Sequence, residues 1–304
     1  MFKKLLKHDL RSVGRGWWIV GVTLLAAFIF FSFSFRLGFD SFMKMFLFAA
    51  EDISSTDGIL EVYSAFFGSL VIMLSYIGLL FLIAAASIAT EIMIYWRFYK
   101  HLYTDEGYLT FTLPASRKHI LRSKTINAMV WEILLLAVIF IGFLFLLLIA
   151  PSMKDGGFGI NPIVYTWFFG TALPEIWGTI GGWLIVYILL LIPMTVISAL
   201  SSVSIIQFCI TLGSVVVKKY KLLAAIGFYY VVNSIFGAVA SAVSWFAMFF
   251  FSTAIATFIE TASTNITCAS IALILLICCV INASFAAVFY FATRNLLERK
   301  LNLA

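Results

Sequence analysis

Long apolar runs, separated by short polar segments, dominate the chain. A helix rises about 1.5 Å per residue, so about 20 apolar residues cross the roughly 30 Å hydrocarbon core of a bilayer. Six runs are long enough, and we predict spans at 17–35, 63–90, 127–150, 176–200, 222–251 and 270–292. The predicted fold is an all-α polytopic membrane protein with six transmembrane helices in a single transmembrane domain, residues 1–304.

The distribution of basic residues predicts the orientation. With six spans, all but three of the 20 Lys and Arg residues fall in segments on one side of the membrane. The three on the other side are Arg36, Lys44 and Lys154. By the positive-inside rule, the richer side is cytoplasmic and holds both chain termini. The net charge of +6 therefore indicates a multi-pass protein of the cell membrane, without a nucleic-acid partner.

The fourth run is long enough for two spans, because low charge continues from Ile176 to Val217. A second crossing here would place the basic cluster at 218–221 on the outer side, against the positive-inside rule. We therefore predict one helix that continues past Pro193. Its later polar residues are expected to lie against other helices, and they are Ser198, Ser201, Ser202, Ser204 and Gln207.

The first 16 residues have apolar side chains on one helical face and basic side chains on the other. This pattern predicts an interfacial elbow helix that lies flat in the headgroup layer and turns into the first span at Gly14 and Gly16. The alternative is a basic segment that only fixes the topology.

Residues 95–116 form a polar and aromatic segment between the second and third spans. Its aromatic residues at three- and four-residue spacing are Trp96, Tyr99 and Tyr103. This spacing predicts a short cytoplasmic helix that ends near Gly107, and Ser116 is predicted to be the N-cap of the next helix. A partner protein that bound this segment tightly would move both spans, because each span has only a short connection to the segment. The alternative is a loop that only closes a helical hairpin.

Two stretches resemble a known family. Residues 98–124, "FYKHLYTDEGYLTFTLPASRKHILRSK", resemble the intracellular coupling-helix segment of ABC-2 type export permeases, in a branch common among Gram-positive bacteria. Residues 204–230, beginning "SIIQ" where relatives often carry a Gly-Gln pair, resemble the passage from the fourth to the fifth span. The resemblance implies a permease that dimerises with an identical or related subunit and docks on separate ATP-binding-cassette ATPase subunits, which would use the ATP and Mg.

The resemblance also implies a role for the polar segment. It makes the coupling helix Tyr99, Lys100, His101 and Leu102, and it places near the ATPase cleft Tyr103, Thr104, Asp105, Glu106, Gly107 and Tyr108. The implied function is export of an amphipathic drug, peptide or lipid-like compound. The sequence has no G-x-x-x-x-G-K-[ST] loop and no H-E-x-x-H or G-x-S-x-G motif, so we expect neither enzyme activity nor a cofactor or metal in this chain.

Few ionisable residues lie within the spans. Glu132 lies about five residues into the third span, where an acid is a functional candidate, although a structural pairing near the cytoplasmic edge is the favoured interpretation. Glu91 is predicted to be an interfacial anchor or a partner of a nearby Lys or Arg. Small residues let membrane helices approach closely, within the chain or towards a second subunit. The candidates for such packing are Gly178, Gly182, Gly237 and Ser241.

Two other functions fit the same pattern of spans. The first is a non-transporting membrane scaffold or sensor that binds a cytoplasmic partner through the 95–124 loop. The second is a passive channel, which the lack of a regular polar stripe along the spans disfavours.

Overall fold

The computed structural model describes residues 2–48, 56–104, 107, 116–149, 170–171, 173–217, 219–259 and 264–299. Six long helices run through these residues, and they are α1 (Phe2–Phe48), α2 (Thr56–Tyr103), α3 (Arg117–Ile149), α4 (Leu173–Val216), α5 (Lys221–Ile259) and α6 (Thr264–Arg299). Each contains a stretch long and apolar enough to cross a membrane. The described part of the chain is free of β-strands. The prediction of an all-helical, multi-pass membrane protein with six spans is therefore confirmed.

The fourth span is one helix. α4 extends without a break over 44 residues and contains Pro193 in its interior. Membrane helices tolerate such a proline when neighbouring groups satisfy the backbone. Ser201, Ser204 and Gln207 are buried, as predicted for this later part of the helix, whereas Ser198 and Ser202 are exposed. The region therefore holds a single crossing, and the seven-span alternative is wrong.

Two predicted helix boundaries are not observed. α1 runs from Phe2 through Gly14 and Gly16, so the predicted elbow segment is continuous with the first span. Similarly, α2 extends to Tyr103, and the predicted coupling helix is the end of this longer helix. A glycine costs only about 1 kcal/mol relative to alanine in a helix, which is too little to end one that keeps its backbone hydrogen bonds. Whether these two helix ends lie at the membrane surface stays a prediction.

The start of α3 agrees with the sequence. The helix begins at Arg117, and the carbonyl oxygen of Ser116 accepts hydrogen bonds from the backbone N–H groups of His119 at 2.9 Å and Ile120 at 3.2 Å. This is the geometry of an N-cap residue, whose carbonyl accepts the first bonds of the helix. The prediction for Ser116 is confirmed.

The described residues divide into two compact units. The first lies within Met1–Val13, Ile92–Ile133 and Ile176–Ala304, and the second lies within Gly14–Glu91 and Leu134–Glu175. In the second unit, the buried ring of Phe28 fills the space that a side chain at Gly142 would need. The first unit contains the buried polar residues described below.

Candidate functional site

Nine polar side chains connect four helices of the first unit, and we call them the polar cluster. They are Asp9, Ser12, Arg97, Tyr103, Ser123, Lys124, Thr125, Gln207 and Thr211. The cluster joins the start of α1, the end of α2, the start of α3 and the last turns of α4. Buried polar groups stabilise a structure only when they are hydrogen-bonded, so these contacts fix how the four helix segments fit together.

An ion pair between α1 and α3 forms one end of the polar cluster. The ammonium group of Lys124 donates to Asp9 Oδ1 at 2.6 Å, and the Ser123 hydroxyl donates to Asp9 Oδ2 at 3.0 Å. The side chains of Asp9 and Lys124 are only 4% and 9% exposed. Removing one partner of such a pair is strongly destabilising, because the other charge then stays buried without a counter-charge or water.

Sequence reasoning missed Asp9, although a signal was present. Asp9 follows Leu5 by four residues and precedes Val13 by four, so it shares their apolar helical face. An acid on the apolar face of a basic segment needs a buried cation or donor as its partner.

The first turns of α1 are also tied to the end of α2. The guanidinium group of Arg97 donates a hydrogen bond to the hydroxyl of Ser12. A small cavity of about 10 Å³ lies in this region, and its lining includes Asp9, Arg97, His101 and Gln207. This volume and the polar lining suit one water molecule.

Tyr103, the last residue of α2, connects that helix to α4. Its hydroxyl lies 2.7 Å from the hydroxyl of Thr211, and both residues are buried. Thr211 has one hydroxyl proton, which it donates to the carbonyl oxygen of Gln207 at 2.7 Å, so Tyr103 is the donor in the bond between helices. The tyrosine ring also packs against Phe98 and Tyr99, with centroids 6.1 and 6.2 Å away.

Gln207 connects α4 to α3. The Thr125 hydroxyl lies 2.8 Å from Gln207 Oε1 and 3.0 Å from the carbonyl oxygen of Leu121. Gln207 is only 1% exposed, so its amide contributes to the contact between helices inside the protein. The glutamine that follows "SII" therefore has a hydrogen-bond partner within the chain.

The structure places the other predicted coupling residues at the same end of α2. Leu102 is buried, Tyr99 and His101 are half-buried, and Lys100 is exposed. The Thr104 hydroxyl donates to the carbonyl oxygen of Lys100 at 2.5 Å, and the backbone N–H of Gly107 donates to the carbonyl oxygen of Thr104 at 2.7 Å. The remaining predicted residues lie outside the described part of the chain, and they are Asp105, Glu106 and Tyr108.

Glu132 has a hydrogen-bond donor from another helix. The hydroxyl of Tyr95, on α2, donates to Glu132 Oε1 at 2.7 Å. Tyr95 is buried and Glu132 is half-buried. The bond therefore adds a further contact between α2 and α3, beside those of the polar cluster. Glu91, the second acid considered in the sequence, is exposed.

Removing the hydroxyl in Tyr95→Phe should lower the free energy of unfolding by about 1–2 kcal/mol, because the Glu132 carboxylate loses a donor. The measurement is unfolding of the purified protein in mixed detergent and SDS micelles. Tyr230→Phe is the matched control, since Tyr230 is 76% exposed and its substitution should have little effect. Equal losses in the two variants would contradict the prediction.

The predicted small-residue contacts are not made within the described chain. A Cβ atom added at Gly178, Gly182 or Gly237 would meet no described atom within 4 Å, and the Ser241 hydroxyl bonds to the Ala238 carbonyl of its own helix at 2.9 Å. Their role in packing against a second subunit stays a prediction.

A close helix contact is found elsewhere, at Gly213. A Cβ atom there would lie 2.6 Å from the backbone nitrogen of Ala225, so α4 and α5 touch backbone to backbone beside their short connection. Sequence reasoning missed this glycine. Its position one turn before a tight connection between two helices was the available signal, since close approach of this kind requires a residue without a side chain.

No family model, no curated protein and no solved structure matches the chain.

Proposed function

We propose that this chain is the membrane-spanning subunit of an ATP-driven exporter, in which separate ATPase subunits act on the segment that follows Tyr103. The proposal is supported by the resemblance of residues 98–124 to the coupling segment of ABC-2 type export permeases. In this proposal two such subunits, identical or related, form the path for an amphipathic cargo. In this proposal the segment faces the cytoplasm, which is the side that the positive-inside rule predicts for it.

One observation carries the proposal: the hydrogen bond between Tyr103, at the end of α2, and Thr211 on α4. A force applied just after Tyr103 would reach α4 through this bond, and it would reach α3 through Gln207 and Thr125. Packed and hydrogen-bonded contacts of this kind transmit a displacement, because the helix segments cannot slide without breaking them. The polar cluster would therefore allow a displacement applied at one face of the protein to move several helices together.

The first test is copurification of the tagged chain from its native membrane, followed by identification of the proteins that accompany it. Recovery of an ATP-binding subunit is the expected result. Its reproducible absence would contradict the proposal and favour the scaffold or sensor alternative. Labelling of a Thr104→Cys variant from the outer side of intact cells, by a reagent that does not cross membranes, would contradict it as well.

The second test separates attachment from coupling. Tyr103→Phe keeps the ring and its packing but removes the hydrogen bond to Thr211, so ATPase attachment should persist while cargo-stimulated ATP hydrolysis in vesicles falls about tenfold, the effect of losing about 1.4 kcal/mol. Tyr220→Phe is the control, because Tyr220 is 66% exposed and should leave hydrolysis unchanged. Unaltered hydrolysis in Tyr103→Phe would show that the bond does not transmit force.

A further inference from the structure

An open groove of about 660 Å³ lies among α3, α4 and α6, within the first unit. Its lining changes character from one end to the other. The polar end carries basic side chains, which are Lys118, His119, Arg122 and Arg294. The other end is apolar, and its walls include Ile126, Met129, Ile197, Leu200, Ala286 and Ala287.

The length of the groove matches one leaflet of a bilayer. It extends from Lys118 to Met129 along α3 and from Arg294 to Ala283 along α6. At about 1.5 Å per residue, either distance is about 16 Å. This is close to half of the roughly 30 Å hydrocarbon core, so an acyl chain that began at the basic end would end near the middle of the membrane.

The basic end of the groove is suited to an anion. Arg122 is exposed and makes no ion pair or hydrogen bond with another described residue, which leaves its guanidinium donors for a ligand. Arg294 donates to Glu298 Oε1 at 3.1 Å, and Lys118 lies 3.9 Å from the same oxygen. One carboxylate thus faces two of the three permanent cations, and the basic end keeps a positive charge.

Small side chains leave room for hydrocarbon beyond the basic end. Ala283, Ala286 and Ala287 line the α6 side of the groove, where larger residues would fill it. Ile197 and Leu200 of α4 form the facing apolar surface. A groove with basic groups at the headgroup level and an apolar end within the hydrocarbon is complementary to a phosphate-bearing lipid.

We propose that this groove binds an anionic phospholipid of the leaflet on the basic side of the protein. The phosphate lies against Arg122, Arg294 and Lys118, and one acyl chain follows the alanine wall of α6. Arginine suits this role because its planar guanidinium donates two parallel hydrogen bonds to a phosphate. The inference does not depend on the export function proposed above, because it uses a different surface and a different ligand.

The test uses the full chain purified in detergent and titrated with dioleoylphosphatidylglycerol or dioleoylphosphatidylcholine. Bound lipids are counted by native mass spectrometry. Arg122→Gln combined with Arg294→Gln removes charge from the groove. Ala287→Trp fills the apolar end of the groove without a change in charge. Lys4→Gln combined with Lys219→Gln is the matched control, because both lysines are exposed and lie outside the groove lining.

The expected result is selective retention of phosphatidylglycerol, reduced at least fivefold in the arginine variant and in Ala287→Trp but unchanged in the lysine control. Equal retention of the two lipids, or equal losses in the arginine and lysine variants, would overturn the proposal. Complete displacement of the lipid by inorganic phosphate or glycerophosphoglycerol at the same concentration would also overturn it, because the acyl chain would then contribute nothing.

Discussion

Lys124→Met should lower the free energy of unfolding by about 3–5 kcal/mol, because it leaves the Asp9 carboxylate buried without its cation. The side chain of Asp9 is only 4% exposed, and Lys124 Nζ lies 2.6 Å from Asp9 Oδ1. The Ser123 hydroxyl remains as a donor to the carboxylate, but one neutral donor does not replace a full charge. Unfolding in mixed detergent and SDS micelles measures the effect.

Two further variants make this prediction specific. Lys118→Met removes a lysine from the same helix. Lys118 lies 3.9 Å from Glu298 Oε1 and its side chain is 55% exposed, so this substitution should cost about 0–1 kcal/mol. The double variant Asp9→Leu/Lys124→Met removes both charges and should be more stable than Lys124→Met alone. A loss below 1 kcal/mol in Lys124→Met, or a double variant less stable than the single one, would contradict the buried pair.

The same ion pair explains why the start of α1 belongs with the ends of the other helices. The first 13 residues lie in the same compact unit as the end of α2 and the start of α3, whereas Gly14–Glu91 lies in the other unit. Asp9 and Ser12 supply the polar contacts of this short segment, to Lys124 and Arg97. The loss of these contacts would therefore affect the α2 and α3 ends on which the proposed coupling depends.

The sequence predicted the six spans and the single fourth helix, because both depend on properties that are local or additive. Hydrocarbon thickness fixes the length of an apolar run, and the charges at 218–221 decide how many times the chain crosses before them. The N-cap at Ser116 was predictable for the same reason, since it depends on residues adjacent in the chain.

The partners of the polar residues could not be predicted from the sequence. Helical spacing places Asp9 on the apolar face of α1, but Lys124 lies 115 residues later, and any of several basic residues would have suited the pattern. Tyr103 was identified by resemblance, whereas its hydrogen bond to Thr211 depends on how α2 and α4 pack. The helix boundaries predicted near residues 16 and 95 are not observed, because α1 and α2 continue through them. The spacing of aromatic and glycine residues does not indicate whether the backbone hydrogen bonds of a helix continue.

Two glycine substitutions should have opposite effects on stability. Gly213→Ala should lower the free energy of unfolding by about 1–3 kcal/mol, because the new Cβ atom needs space that the α5 backbone occupies. The added atom would lie 2.6 Å from the Ala225 nitrogen and 2.8 Å from its Cα. Backbone atoms cannot rotate away as a flexible side chain can, so α4 and α5 must separate.

Gly237→Ala is the matched control, since it adds the same atom to a helix at a position where nothing described lies within 4 Å. Alanine restricts the unfolded chain more than glycine does, so this variant should gain about 0.5–1 kcal/mol. Gly182→Ala provides a second open position, in α4 itself. A loss at Gly213 with gains at the two open positions identifies the α4–α5 contact as the place where these helices need a glycine. Equal changes at all three positions would mean that α4 and α5 do not meet there, and a loss at Gly237 that disappears in the monomeric protein would assign that glycine to packing against a second subunit.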